Sequence, residues 1–78
     1  MEAQLAAVLR FLADHDGASA ARVARNLGLA ASELQRLLAV LGDDPVLGGL
    51  GLVATRDERG RATLHLSDAG RDWLERHG

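Results

Sequence analysis

Residues 19–38 read Ser-Ala-Ala-Arg-Val-Ala-Arg-Asn-Leu-Gly-Leu-Ala-Ala-Ser-Glu-Leu-Gln-Arg-Leu-Leu, and this stretch decides the fold. Ser19 has the side-chain chemistry to cap a helix running from Ala20 to about Leu27. Ala20, Val23, Ala24 and Leu27 fall on one face of that helix, and Arg22, Arg25 and Asn26 on the other. Gly28 stands where a left-handed helix cap costs least. After Leu29 another helix starts near Ala31, although Ala30 offers no capping hydroxyl and leaves Ser32 as a competing start. Its apolar stripe is Leu34, Leu37, Leu38 and Leu41. Ser32 and Arg36 point most directly outward, with Gln35, Ala39, Val40 and Glu33 beside them.

Upstream, Glu2 to Asp14 reads as a helix, with Leu5, Val8, Leu9 and Leu12 spaced i, i+3, i+4, i+7. Ala3, Ala7, Arg10 and Asp14 take the opposite face, Phe11 takes the flank, and His15-Asp16-Gly17 stops the helix. Downstream, Gly42 to Gly51 is a loop in which Asp44-Pro45 suits a single helical turn. The period then changes to two. Leu52–Arg56 and Arg61–Leu66 alternate as strands do, joined by a turn at Asp57-Glu58-Arg59-Gly60 in which Gly60 takes positive φ. Ser67 caps a last short helix from Asp68 to about His77, with Ala69, Trp73 and Leu74 inward. A lone hairpin is not stable in water, so it must pack on the helices.

This order gives a mainly α (α+β) fold, a winged helix-turn-helix. It has a three-helix core, a two-stranded β-hairpin wing and a short C-terminal helix, as a single domain over residues 1–78. The expected core is Leu5, Leu9, Leu12, Val23, Leu27, Leu34, Leu38, Leu41, Leu64 and Trp73, with Leu38 fully buried between the first two helices.

The 78 residues carry nine basic side chains, all Arg, and eleven acidic ones, for a formal charge of −2. Leu, Val and Phe make up 21 of the 78 residues, too many for a disordered chain of low net charge. At this size folding buries only roughly 60% of the unfolded surface, so self-association would help stability. No Cys is present, which excludes thiol catalysis, Cys-type zinc fingers and iron–sulfur clusters. No apolar run is long enough to span a membrane. The N-terminus lacks the basic region and unbroken apolar stretch of a signal peptide, so the expected location is the cytoplasm. Abundant Ala, Leu, Gly and Arg with no Lys suggests a GC-rich source.

Ala20-Ala21-Arg22-Val23-Ala24-Arg25-Asn26-Leu27-Gly28-Leu29 followed by Ser32-Glu33-Leu34-Gln35-Arg36-Leu37-Leu38 resembles the helix-turn-helix of bacterial winged-helix regulators. Gly51-Leu52-Val53, an Arg-flanked turn and Leu64-His65-Leu66-Ser67-Asp68-Ala69-Gly70 resemble the wing of MarR-like proteins. The resemblance covers nearly the whole chain. It implies a core that binds duplex DNA, without the long terminal dimerisation helices of MarR-like regulators. The loop before the wing is longer than usual for that group, and Leu37 and Val40 make the recognition helix greasier.

Charge placement agrees with that implication. The face formed by the second helix, the third helix and the wing carries Arg22, Arg25, Arg36, Arg56, Arg59 and Arg61 against Glu33, Asp57 and Glu58, a local charge of +3. The remaining three Arg oppose eight carboxylates, a charge of −5. A dipolar surface supplies local positive potential even on an acidic protein. The plainer account is that these Arg residues merely solvate exposed faces. On the DNA account Arg36 reads guanine O6 and N7, Gln35 reads adenine, and Glu33 accepts from cytosine N4. Ser32 donates to a phosphate near the helix N-terminus. Arg59 enters a minor groove or lies on phosphate. Asp57 and Glu58 leave a self-neutralised turn as the competing account, and the wing contributes affinity only if these acids turn away.

No metal site is expected, because His15, His65 and His77 lie far apart without ligand spacing. No cofactor is expected either: the Gly48, Gly49, Gly51 cluster has no Lys partner for a phosphate loop. No nucleophile, base and orienter stand out, so catalytic residues are absent and the chain is read as no enzyme. The expected partners are double-stranded DNA and a second copy of the chain, in a bacterial transcription regulator. The competing function is a winged-helix adaptor that binds protein and not DNA, using Leu37, Val40 and Phe11. The Met start and Gly end suit a complete short chain, against a third reading as part of a longer one.

Overall fold

The computed structural model describes residues 2–42 and 49–77. Its elements are α1 (Glu2–Asp14), α2 (Ala20–Leu27), α3 (Ala31–Leu41), β1 (Val53–Glu58), β2 (Arg61–Leu66) and α4 (Asp68–His77). The helical turn expected at Asp44-Pro45 lies outside the described residues. Ser19 caps α2 as its chemistry demands, accepting from the Arg22 amide at 3.1 Å. Gly28 closes the helix at φ 66°, and Leu29 N–H reaches back to the Ala24 carbonyl at 2.8 Å. The αL turn sends α3 off at once, which makes the helix-turn-helix compact.

Helix α3 starts at Ala31, with Ala30 as an N-cap that has no side chain to offer. Glu33 compensates, its carboxylate accepting from the Ala30 amide at 3.0 Å. One half of a capping box therefore stands in for the missing hydroxyl, and Ser32 is not needed as the start.

The core gathers Val8, Leu9 and Leu12 of α1, Ala18, Val23 of α2, and Leu34, Leu37 and Leu41 of α3. Leu52, Val53, Leu64 and Leu66 of the hairpin region complete it. Of the expected core, Leu5, Leu27, Leu38 and Trp73 are only partly buried against this cluster. The expectation for Leu38 is overturned: Leu37 is 2% exposed and Leu38 lies on the flank. Both belong to the stripe, about 100° apart on the wheel. The packed line is Leu34, Leu37 and Leu41. The same fact removes Leu37 from the exposed apolar residues assigned to a protein partner.

The strands are longer at the tip than their alternation indicates. β1 runs through Asp57 and Glu58, and Val53–Glu58 pair antiparallel with Leu66–Arg61. Only Arg59 and Gly60 form the turn, at φ 54° and 80°. Positive φ at both central residues matches the twist of a two-residue hairpin. Charged side chains extend the ribbon at no cost because both its faces reach water there.

The hairpin is tied to the helices by backbone. Gly17 N–H donates to the Leu64 carbonyl and Leu64 N–H to the Ala18 carbonyl, both at 2.8 Å. Ser19 bridges Thr63, and Leu66 N–H donates to Asp16 Oδ1 at 2.7 Å. The connection between α1 and α2 thus behaves as a short third strand on the free edge of β2.

Ser67 starts α4, its hydroxyl donating to the Gly51 carbonyl at 2.7 Å and accepting from Gly70 N–H at 3.0 Å. Ala69, expected inward, is exposed, and Gly70 is buried in its place. A Cβ at Gly70 would lie 2.3 Å from the Leu52 carbonyl oxygen and 2.7 Å from Leu66 Cδ1. Only a glycine lets α4 approach the hairpin base this closely.

Two measurements check this packing by chemical denaturation. Leu37→Ala should cost roughly 2–5 kcal/mol and Leu38→Ala clearly less. The reverse order would mean that α3 is rotated. Gly70→Ala should destabilise by roughly 1–3 kcal/mol through overpacking, in spite of the better helix propensity of Ala.

Candidate nucleic-acid interface

The edge ladder sets the wing beside the N-terminus of α2. Gly17, Ala18 and Ser19 join Arg22 on one wall of an open cleft, and Glu58, Arg59, Arg61 and Thr63 form the other. A neighbouring hollow holds Arg25 and Arg61 with Ser19, Ala20, Ala21 and Ala62. Arg22, Arg25, Arg59 and Arg61 therefore converge on one region. Ser32, Glu33, Gln35, Arg36 and Arg56 are not among the residues lining these two hollows. Ser32, Glu33, Gln35 and Arg36 are exposed along the outer side of α3 and Arg56 is exposed on β1.

Cross-strand register sorts the wing charges. Arg56 faces Thr63, and Glu58 faces Arg61, on one side of the ribbon. Asp57 pairs with Ala62 on the other side, the side of Val53, Leu64 and Leu66. Of the two acids at the tip, Asp57 turns away from the Arg side chains and Glu58 stays among them. Three guanidinium groups and one carboxylate line the main cleft, which leaves it net positive. Among the described residues none of Arg22, Arg25, Arg36, Arg56, Arg59 or Arg61 has a carboxylate oxygen within 4.0 Å. Arg76, away from this region, has one at 3.1 Å in Asp72.

Three features favour an anion at the cleft. The N-terminus of α2 carries the positive end of its helix dipole. Ser19 is its cap. Arg59 holds its guanidinium at the tip from a left-handed backbone, which costs a non-glycine residue about 1–2 kcal/mol. Glu33 is already engaged as a cap of α3, so its carboxylate is held near the helix start rather than free to swing.

Several participants were not visible in the sequence. In sequence Ser19 shows only as a cap. Thr63 and Glu58 enter the cleft through the hairpin register. Asp16 and His65 meet across 49 residues, with Asp16 Oδ2 3.8 Å from His65 Nδ1. An Asp before a Gly at a helix end signals a turn, and nothing local says that it will bind a strand edge.

Away from the cleft, Leu5, Leu9, Leu41, Leu50, Leu52 and Trp73 line a small apolar groove. Leu50 is 59% exposed there. Val40 and Phe11 are half-buried, with the Phe11 ring centred 4.8 Å from that of His15. Among the described residues no group of three or more His, Asp or Glu side chains could hold a metal ion. No helix among them is long and apolar enough to cross a membrane.

Residues 4–43 match the family model of the IclR helix-turn-helix domain. The match spans α1, α2 and α3 and ends before the wing. It is to the IclR type, and it leaves the MarR-like character of the wing untested. It supports the fold of a DNA-binding transcription regulator and points away from a catalytic domain. No curated protein and no solved structure matches the chain.

The backbone at the tip carries a test of its own. Arg59→Asn should raise thermal stability by about 0.5–1 kcal/mol, because Asn tolerates the left-handed conformation better. A loss of stability in a thermal melt would mean that the Arg59 side chain holds the turn together.

Proposed function

The chain belongs to the IclR helix-turn-helix family, and on that premise we propose that it is a small bacterial transcription regulator that binds duplex DNA as a homodimer. The observation that carries this reading is the convergence of Arg22, Arg25, Arg59 and Arg61 beside the start of α2. Phosphate recognition needs clustered cations, and these four supply them beside the positive end of the α2 dipole. Residues 1–78 act as one winged-helix domain, working in the cytoplasm where its DNA lies.

In this reading α3 lies in the major groove. Arg36 makes the two-pronged contact to guanine and Gln35 addresses adenine. Ser32 meets a phosphate, and Glu33 discriminates through cytosine N4 when it leaves its capping role. Arg22 and Arg25 hold the backbone on one side of the groove. Arg56, Arg59 and Arg61 hold it on the other, with Arg59 at a minor groove. Two copies read half-sites about 34 Å apart, one turn of DNA. The turn at Leu66-Ser67 and Gly70, which resembles that of MarR-like wings, keeps the wing anchored while its tip contacts DNA.

A second reading has one specific observation in its favour. Exposed Leu50 beside the apolar groove suits a protein partner, as an adaptor without DNA binding would require. Leu50 and Trp73, with Val40 and Phe11, are then the residues to test.

A titration on selected and scrambled duplexes at two salt concentrations separates the two. Wild type should lose affinity steeply as salt rises. Arg36→Ala should cost roughly 1–3 kcal/mol on the selected site and flatten the preference between sequences. Arg59→Ala should weaken all duplexes alike and reduce the salt slope by about one charge. Glu33→Gln keeps the cap, since Gln also serves in a capping box, and should strengthen nonspecific binding. Absence of salt-dependent binding to every duplex would overturn the DNA reading in favour of the adaptor.

A further inference from the structure

His65 lies next to the basic cleft, against Thr63 and Glu58 of its wall, and the duplex-binding reading makes no use of it. Its ring is mostly covered, with 19% of the side chain exposed. Nδ1 lies 3.8 Å from Asp16 Oδ2, and Nε2 lies 4.0 Å from Glu58 Oε1 and 3.0 Å from Thr63 Oγ1. Thr63 and Glu58 both line the cleft with Arg22, Arg59 and Arg61. The imidazole therefore touches two members of the wall on which phosphate would lie.

We infer that His65 couples duplex binding to pH: protonation of its imidazole tightens the hold of the cleft on phosphate. The inference rests on the duplex-binding reading. Imidazole is the ordinary side chain that changes charge between pH 5 and 8. In the neutral form Glu58 stands opposite Arg61 and offsets part of the positive charge that faces solvent. In the charged form the imidazolium has two carboxylates in reach, and Glu58 is drawn toward it. Nε2–H then donates to Thr63 Oγ1, and the Thr63 hydroxyl is left to donate to the Arg56 carbonyl, 3.4 Å away. The region gains one positive charge in all, and it is expressed at Arg61, which Glu58 no longer offsets. That change favours a polyanion.

Among the described residues Asp16 is the one other carboxylate at the ring, and it faces Nδ1 while Glu58 faces Nε2. The connection after α1 supplies Asp16, whose other oxygen is fixed on Leu66 N–H. His15 packs against Phe11 instead, with the two rings tilted by 36°. From β1, Arg56 and Glu58 share the ribbon face of His65, as does Arg61 from β2. From α2, Arg22 lines the cleft. Arg10 and Asp14 of α1 and Asp68, Arg71, Asp72 and Glu75 of α4 are exposed. Among the described residues the only carboxylate oxygens within 4.0 Å of the ring nitrogens are those of Asp16 and Glu58.

Linkage sets the sign. If charged His65 favours the complex, DNA binding takes up a proton and affinity rises as pH falls. The test is a titration of a fluorescent duplex of about 20 base pairs at fixed low salt, at about pH 8 and about pH 6. Wild type should bind about 5-fold tighter at the lower pH, as one added charge near phosphate warrants. His65→Gln, which keeps a hydrogen-bonding partner for Thr63, should lose most of that gain. Glu58→Gln should bind more tightly than wild type at about pH 8. Equal pH dependence in wild type and His65→Gln would overturn the inference and leave duplex binding standing. No binding by wild type at either pH would overturn the duplex reading, and this inference with it. A second measurement needs no variant. The NMR titration of the His65 Hε1 signal should move to higher pH when the duplex is present, and an unmoved midpoint would contradict the coupling.

Discussion

The placement of the wing beside the start of α2 depends on a short backbone ladder. Two hydrogen bonds, Gly17 to Leu64 and Leu64 to Ala18, fasten the hairpin to the connection between α1 and α2. A two-stranded ribbon has too little apolar surface to hold itself in water. The ladder gives it a third partner at the point where α2 begins. Asp16 prolongs the ladder by taking the Leu66 amide, so the inner edge of β2 is satisfied and closed to other strands.

The position of the cleft follows from that attachment. The same three residues that pair with β2 also lead into the cap of α2. Ser19 is therefore at once the end of the ladder and the start of the helix. Arg22, one turn into α2, must lie across from Arg61, two residues before Thr63. Burial at the base holds the other end: Gly70 lets α4 press against the Leu52 carbonyl, and Ser67 bonds Gly51. The wing is fixed at its root while its tip is a two-residue turn open to solvent. The strain at Arg59 places a guanidinium where an unstrained Asn or Gly would leave the tip uncharged.

Much of the fold was legible because the helices follow one period and the hairpin another. The start of α2 at Ser19 and its end at Gly28 come from local groups, a side-chain cap and a left-handed backbone, acting on their own neighbours in sequence. What failed to show is what depends on distant contacts. Leu37 and Leu38 are equally apolar, and only the direction from which α1 and α2 approach decides between them. Ala69 looks like the inward residue of α4, but the helix comes so close that the buried position admits no Cβ. Ala30 lacks a capping hydroxyl, and the remedy at Glu33 comes from a side chain that the periodicity sets only among the outward residues of α3. The Arg residues of the site were named individually from exposure and charge. That Arg22, Arg25, Arg59 and Arg61 line adjoining hollows was set by the ladder, which three residues of sequence do not announce as a strand.

If the ladder builds a phosphate-binding face from α2 and the wing, with α3 as the reading element, amide NMR shifts during addition of a duplex will trace it. The shifts should concentrate at Ser19–Arg25, at Ser32–Arg36 and at Arg59–Arg61, with the indole of Trp73 unmoved. Shifts confined to Leu5, Leu50 and Trp73 around the apolar groove, or none at the α2 start and the wing tip, would contradict it.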